Sequence, residues 1–291
     1  MGISALCLFA SQGLSVSAAT IKEENIARNQ ALAIQSNEVA NWPTGPVVSA
    51  ESAILMDADT GAILYAKNIH QQEYPASTTK ILTTLIASER CSMDEIVDFS
   101  YDAVHDIDPG SNHIAIDPGE QLTMEECLNA ILIRSANEVS FAVAEHISGT
   151  TWQDFAPIMN ERAKELGCVD SNFVNPNGLP ADQYSTAIDM ARCAYYVYRN
   201  PELRNIICKR QYAFTRANGK TLLLRNTNKL LEQHSWVTGM KTGYTNAAGR
   251  CLVSSAGFNG RHVIVVVLGC HPSRIWTESE NLLKWALSGA A

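Results

Sequence analysis

Val263 to Leu268 is an unbroken apolar run, Val-Ile-Val-Val-Val-Leu, and it constrains the fold more than any other feature of the chain. β-Branched residues in succession are stiff at the first side-chain torsion and fit a pleated strand better than a helix. A strand apolar at every position is buried on both faces, so this one belongs at the centre of a sheet. It is one arm of a hairpin whose other arm is Cys251 to Ala256, with Gly257-Phe258-Asn259-Gly260 between them. Far upstream, Ser52 to Met56 and Ala62 to Ala66 flank Asp57-Ala58-Asp59-Thr60-Gly61, a second hairpin in which glycine supplies the turn.

Between the hairpins the signals are helical. Ile81, Leu82, Leu85 and Ile86 repeat at helical spacing behind Ser77. Thr123-Met124-Glu125-Glu126 is a capping box ahead of Cys127, Leu128, Ile131 and Leu132, and Thr186 with Asp189 forms another ahead of Met190, Ala194 and Val197. Thr151 caps a stretch carrying Phe155, Ile158, Met159 and Leu166 and stopped by Gly167. A last helix is expected from Ser273 to Leu287. Strands at both ends and helices between predict a mixed α/β (α+β) chain. Its terminal hairpins pair as neighbours in one sheet, and helices cover both faces.

The 291 residues carry a net charge of −8 and no run of basic residues. Phosphate binding needs a clustered positive surface, so nucleic acid is excluded as a partner. Residues 1–19 are uncharged, apolar from Ile3 to Ala10, and end in Val16-Ser17-Ala18-Ala19. They are expected to be a secretory signal peptide, although the usual Lys or Arg before the apolar stretch is missing. Residues 20–47 are polar, end in Pro43, Gly45 and Pro46, and read as a linker; residues 48–291 are the expected folded domain. Seven cysteines follow the leader, an odd number, with no Cys-x-x-Cys among them. The seven histidines are scattered without metal-like spacing. Buried free thiols and no structural zinc or other cofactor are therefore expected.

Three short motifs carry chemistry. In Ser77-Thr78-Thr79-Lys80 the serine and lysine lie one helical turn apart on one face. A serine hydroxyl attacks only when a base takes its proton, and a lysine is a base only when burial or a nearby cation keeps it neutral. Ser135-Ala136-Asn137 separates two apolar helical stretches. A helix break there would present Ser135 and Asn137 to a cleft, one able to relay a proton and the other to bond a substrate amide. Lys241-Thr242-Gly243 follows Val237-Thr238-Gly239-Met240. Gly243 clears room along a strand edge, while Lys241 and Thr242 suit a carboxylate. Lys241 is also the expected cation that keeps Lys80 neutral.

Ser-x-x-Lys, Ser-x-Asn and Lys-Thr-Gly in this order resemble the signature of penicillin-binding proteins and serine β-lactamases. Four longer segments are similar to the low-molecular-mass D-alanyl-D-alanine carboxypeptidases: Tyr74 to Lys80, Phe173 to Leu179, Tyr184 to Ala191 and Val237 to Leu252. The resemblance covers roughly residues 47–285 and implies an antiparallel five-stranded sheet flanked by helices, of the β-lactamase/transpeptidase-like kind. It implies that Ser77 is acylated by the penultimate D-alanine of a peptidoglycan stem peptide. Lys80 is then the base, and the backbone N–H groups of Ser77 and Tyr244 form the oxyanion hole. β-Lactams are implied as covalent inhibitors and the cell wall as the place of action. Family members with a membrane-holding C-terminal helix have no counterpart before Ala291, so no stable membrane anchor is expected. Where some members carry an Arg after the last strand, this chain has Gly269-Cys270-His271. The carboxylate clamp falls to Lys241 and Thr242, with Arg274 as a weaker candidate. A β-lactamase would need a deacylating Glu-x-x-Leu-Asn segment; Glu125 to Asn129 fits the string but precedes Ser135, inside a predicted helix. A non-catalytic penicillin or peptidoglycan sensor is disfavoured by three intact motifs.

Overall fold

The computed structural model describes residues 35–179, 182–216 and 218–289. The expected leader and the first part of the expected linker lie outside these residues. The strands are β1 (Ser52–Asp57), β2 (Ile63–Lys67), β3 (Ile96–Asp98), β4 (Gln121–Thr123), β5 (Gln211–Thr215), β6 (Thr221–Arg225), β7 (Val237–Thr245), β8 (Gly249–Phe258) and β9 (Arg261–Cys270). The α-helices are α1 (Lys80–Arg90), α2 (Tyr101–His105), α3 (Met124–Asn129), α4 (Asn137–Ser148), α5 (Phe155–Glu165), α6 (Ala187–Arg199), α7 (Pro201–Ile207), α8 (Leu230–Gln233) and α9 (Ile275–Leu287).

The main sheet is five-stranded and antiparallel, in the order β2-β1-β9-β8-β7. The two terminal hairpins meet along β1 and β9, with Ser52 opposite Leu268 and Asp57 opposite Val263. The apolar run in β9 is central because side chains leave it in both directions. Val263, Val265 and Val267 pack with Leu282 and Leu283 of α9, whereas Ile264, Val266 and Leu268 enter the larger core with α1, α4 and α6. Each such buried aliphatic side chain contributes about 1.5–3 kcal/mol relative to exposure. Helix α1 is the middle of the larger core. Its residues from Lys80 to Ala87 are all buried, and that stretch is apolar apart from Lys80, Thr83 and Thr84, whose polar atoms find partners.

Sequence and structure differ in four places. Residues 35–47 do not stand free as a linker. Gln35 bridges Lys67, Ala66 N donates to Ser36 Oγ at 3.1 Å, and Trp42 Nε1 donates to the Leu64 carbonyl at 3.0 Å, so this segment lies along the outer edge of β2. The Thr123 capping box is complete, but the one at Thr186 is one-sided. Asp189 N donates to Thr186 Oγ1, while the Asp189 carboxylate accepts instead from Asp170 N, Ser171 Oγ and Arg192 Nη1. The two small pairs β3–β4 and β5–β6 carry too little alternation to stand out in the sequence; of β5 and β6 only Phe214 and Leu224 are buried. The seven described cysteines are free thiols, but Cys208 is exposed and Cys91 half-buried.

Candidate active site

Ser77 stands in a 3-10 turn, Ala76–Thr79, that runs directly into α1, and Lys80 is the first residue of the helix. Two features fix this entry. Ala76 has φ +47°, a left-handed conformation that a non-glycine residue adopts only when its surroundings hold it there. Gly178 lies against it, and a Cβ built on Gly178 would sit 1.9 Å from the Ala76 carbonyl oxygen. Gly178 also has φ +90°. Gly178→Ala is therefore expected to lose about 1–3 kcal/mol or more, because both the overlap and the torsion resist a side chain. Thermal unfolding measures the loss.

The Ser135-Ala136-Asn137 segment is the break between two helices. A π-type turn, Ala130–Arg134, ends at Ser135, which has φ +67°, and α4 starts at Asn137. Asn137 N donates to the Asn112 carbonyl, and buried Glu138 accepts from Ile114 N at 2.6 Å, so the start of α4 also pins the loop that walls the cleft. Burial pushes the Glu138 carboxyl up.

The break brings Asn137 to Lys80. Lys80 is 0% exposed, and its Nζ lies 3.1 Å from Ser77 Oγ, 2.6 Å from Asn137 Oδ1 and 2.7 Å from the Asn177 carbonyl. Asn177 belongs to the Phe173 to Leu179 segment, whose turn is tied by Gly178 N to Asn175 Oδ1 and by Leu179 N to Asn177 Oδ1. The Lys80 pKa falls well below the usual ammonium value. Burial is the largest cause and the Lys241 charge the next, with Glu138 opposing both. Ser135 Oγ is buried at the cleft and has no hydrogen-bond partner among the described residues.

Strand β7 closes the other side. Alternation points Lys241 and Gly243 to one face and Thr242 and Tyr244 to the other. A Cβ on Gly243 would meet the Ser77 backbone nitrogen and the Ala76 Cβ, each at 3.1 Å, which is why this strand position is glycine. Lys241 is 1% exposed; its Nζ donates to the Thr242 carbonyl at 2.8 Å, and burial pushes its pKa down to about 7. It lies behind the cleft wall rather than facing a substrate beside Thr242. Thr242 Oγ1 does line the cleft and donates to Thr227 Oγ1 at 2.7 Å.

These residues surround a cleft of about 810 Å³ that Ser77, Ser135, Asn137, Thr242, Gly243 and Tyr244 line together. Arg274 is exposed and does not line the cleft. Arg250 on β8 does, with its guanidinium 4.2 Å from the centre of the Tyr244 ring. The sequence reading missed Arg250, Thr227 and the role of the Asn177 carbonyl. Thr227 lies outside any motif, Arg250 lies within the Val237 to Leu252 segment but was assigned no role there, and a backbone carbonyl has no residue signature. The Glu125 to Asn129 string is structural: Glu125 is exposed, Glu126 completes the capping box, and Asn129 Oδ1 accepts from Lys209 Nζ.

The sheet order and this cleft define the penicillin-binding protein class of fold. The crystal structure of penicillin binding protein 6B from Escherichia coli matches with a TM-score of 0.77 at 32% identity, covering 87% of this chain and 81% of that one. More narrowly, the chain belongs to the D-alanyl-D-alanine carboxypeptidase family, whose sequence profile matches residues 39–271. The D-alanyl-D-alanine carboxypeptidase DacF of Bacillus subtilis is 38% identical over 243 residues, 82% of this chain and 62% of that protein. DacA of Haemophilus influenzae is 32% identical over 268 residues, 89% of this chain and 67% of that protein. The chain thus spans from about three fifths to two thirds of the length of these two relatives.

Proposed function

We propose that this protein is a serine-type D-Ala-D-Ala carboxypeptidase that removes the terminal D-alanine from peptidoglycan stem peptides through an acyl-enzyme on Ser77. One observation carries the reading: a fully buried lysine amine has Ser77 Oγ at 3.1 Å and two other acceptors at 2.6 and 2.7 Å. A neutral amine has two N–H donors and one lone pair. Asn137 Oδ1 and the Asn177 carbonyl take the two donors, which turns the lone pair toward Ser77. The Ser77 hydroxyl then donates its proton to Lys80 as Oγ attacks the carbonyl carbon of the penultimate D-alanine. The oxyanion falls to the backbone N–H groups of Ser77 and Tyr244, at a helix start and a strand edge. When the tetrahedral adduct collapses, the C–N bond breaks and Ser135 relays the proton from Lys80 to the leaving amine. Water then cleaves the Ser77 ester. The terminal carboxylate sits at Thr242, with the Lys241 charge behind it and Gly243 leaving room for the peptide. A β-lactam acylates the same serine, but its leaving amine stays tethered and blocks water, so it acts as a covalent inhibitor.

Such a substrate lies outside the cytoplasm, in agreement with the expected signal peptide. No helix among the described residues is long and apolar enough to cross a membrane. D-Alanine release from a D-Ala-D-Ala peptide is the direct test. Penicillin labelling without release would leave only a sensor, and rapid penicillin turnover would indicate a β-lactamase.

Lys241→Ala is expected to raise KM by up to about 10-fold, the scale of losing a charge behind the substrate carboxylate rather than a direct bond to it, with a smaller fall in kcat. It should also shift the acidic limb of the acylation pH profile. Activity falls at low pH because protonated Lys80 is no base. Removing the Lys241 charge lets the Lys80 pKa rise, so the limb moves to higher pH. An unmoved limb and an unchanged KM would refute the assigned role.

A further inference from the structure

At the far ends of two helices from the cleft, three side chains of metal-ligand type converge. Cys91 caps the C-terminus of α1, Glu95 lies in the loop leading to β3, and His146 is in the last turn of α4. Their ligand atoms all lie within 4.8 Å of one another, and His146 Nε2 is 3.0 Å from Glu95 Oε2. Nitrogen and oxygen ligands of a tetrahedral zinc are roughly 3.3 Å apart, given metal–ligand bonds of roughly 2.0–2.1 Å. The triad is therefore near coordination spacing without rearrangement of the backbone. The carboxylate is also oriented: Ser92 N donates to Glu95 Oε1 at 2.6 Å, which leaves Oε2 for the cluster. A ligand held by an outer hydrogen bond is the usual construction of a protein metal site.

We propose that Cys91, Glu95 and His146 bind a thiophilic divalent cation of the zinc class, with solvent in the fourth position. Thiolate, imidazole and carboxylate together select zinc over the hard cations magnesium and calcium, which take oxygen ligands. The placement gives the site its use. Helix α1 begins with Lys80 and ends at Cys91; α4 begins with Asn137 and carries His146 near its end. The cation clips together the distal ends of the two helices whose first residues meet at 2.6 Å in the cleft. It lies roughly 16 Å from Lys80, eleven residues at about 1.5 Å each. It therefore acts on stability and takes no part in chemistry at Ser77.

The test uses tag-free protein stripped with a chelator and desalted. Competition against a chromophoric zinc chelator should show one zinc per chain, and zinc should raise the midpoint of thermal unfolding. Cobalt(II) loading should give the near-ultraviolet charge-transfer band of a thiolate ligand. Cys91→Ser should abolish that band. His146→Gln and Glu95→Gln should each weaken zinc by more than the roughly 10–100-fold lost with an outer-shell partner. Cys208→Ser, which removes the exposed thiol, should change nothing. Far-ultraviolet circular dichroism checks that each variant is folded, and if Cys91→Ser is not, the two other variants decide. A cobalt complex of the wild type with no thiolate band overturns the proposal, as does equal zinc affinity in wild type and folded variants. The triad would then be a His–Glu ion pair beside a thiol.

Discussion

Ser77→Ala should form no penicilloyl adduct at all, while the wild type gains the mass of one penicillin on the peptide that contains Ser77. The substitution removes one oxygen from a site that is 9% exposed, so the fold is expected to survive it. In serine hydrolases loss of the nucleophile costs about 10⁶-fold in kcat, and D-alanine release should fall by that order. Intact-protein mass spectrometry with and without penicillin, followed by peptide mapping, makes the measurement. An adduct that persists in Ser77→Ala, or maps to Ser135, would move the nucleophile elsewhere and dissolve the mechanism. Melting of the variant should remain close to that of the wild type.

Lys80→Ala should lower the rate of Ser77 acylation by about 10²–10⁴-fold, the scale of general base catalysis, with the serine still in place. This variant is less innocent structurally. It opens a cavity and leaves Asn137 Oδ1 and the Asn177 carbonyl buried without the donor that served them. Destabilisation of about 2–5 kcal/mol is expected from a long buried side chain cut to alanine, so the rate is to be measured well below the new melting midpoint. Rescue distinguishes a missing base from a damaged site. A small primary amine added to Lys80→Ala should restore part of the acylation rate, and more of it at higher pH, where the free amine is neutral. The same amine should do nothing for Ser77→Ala. Full acylation by Lys80→Ala without added amine would make another group the base.

Local pattern carried the elements a long way. The β9 run reads as a central strand because it is apolar at every position, and it is central. Thr123 and Glu126 read as a reciprocal cap because the partners are three residues apart, and both bonds form. The box at Thr186 failed on one side because Asp189 found better-placed donors in Asp170, Ser171 and Arg192, two of them from a loop outside its own helix. The docking of residues 35–47 was invisible for a related reason. Composition marks that segment as polar, but the unpaired edge of β2 offered it backbone partners.

The candidate site divides in the same way. Ser77 and Lys80 share a helix face, so their proximity follows from a spacing of three residues. Lys241 and Thr242 are adjacent in sequence, yet strand alternation separates them, and burial depends on what packs against β7. Asn137 Oδ1 and the Asn177 carbonyl reach Lys80 from 57 and 97 residues away. Sequence alone determined which residue types were present, their local periodicity and the order of the three motifs, because helices, hairpins and caps are set by neighbours within a few positions. Only the tertiary structure decided that a lysine amine is dry, saturated on two sides and aimed at a serine on the third. Desolvation and long-range acceptors are properties of packing, and no short window of the chain contains them.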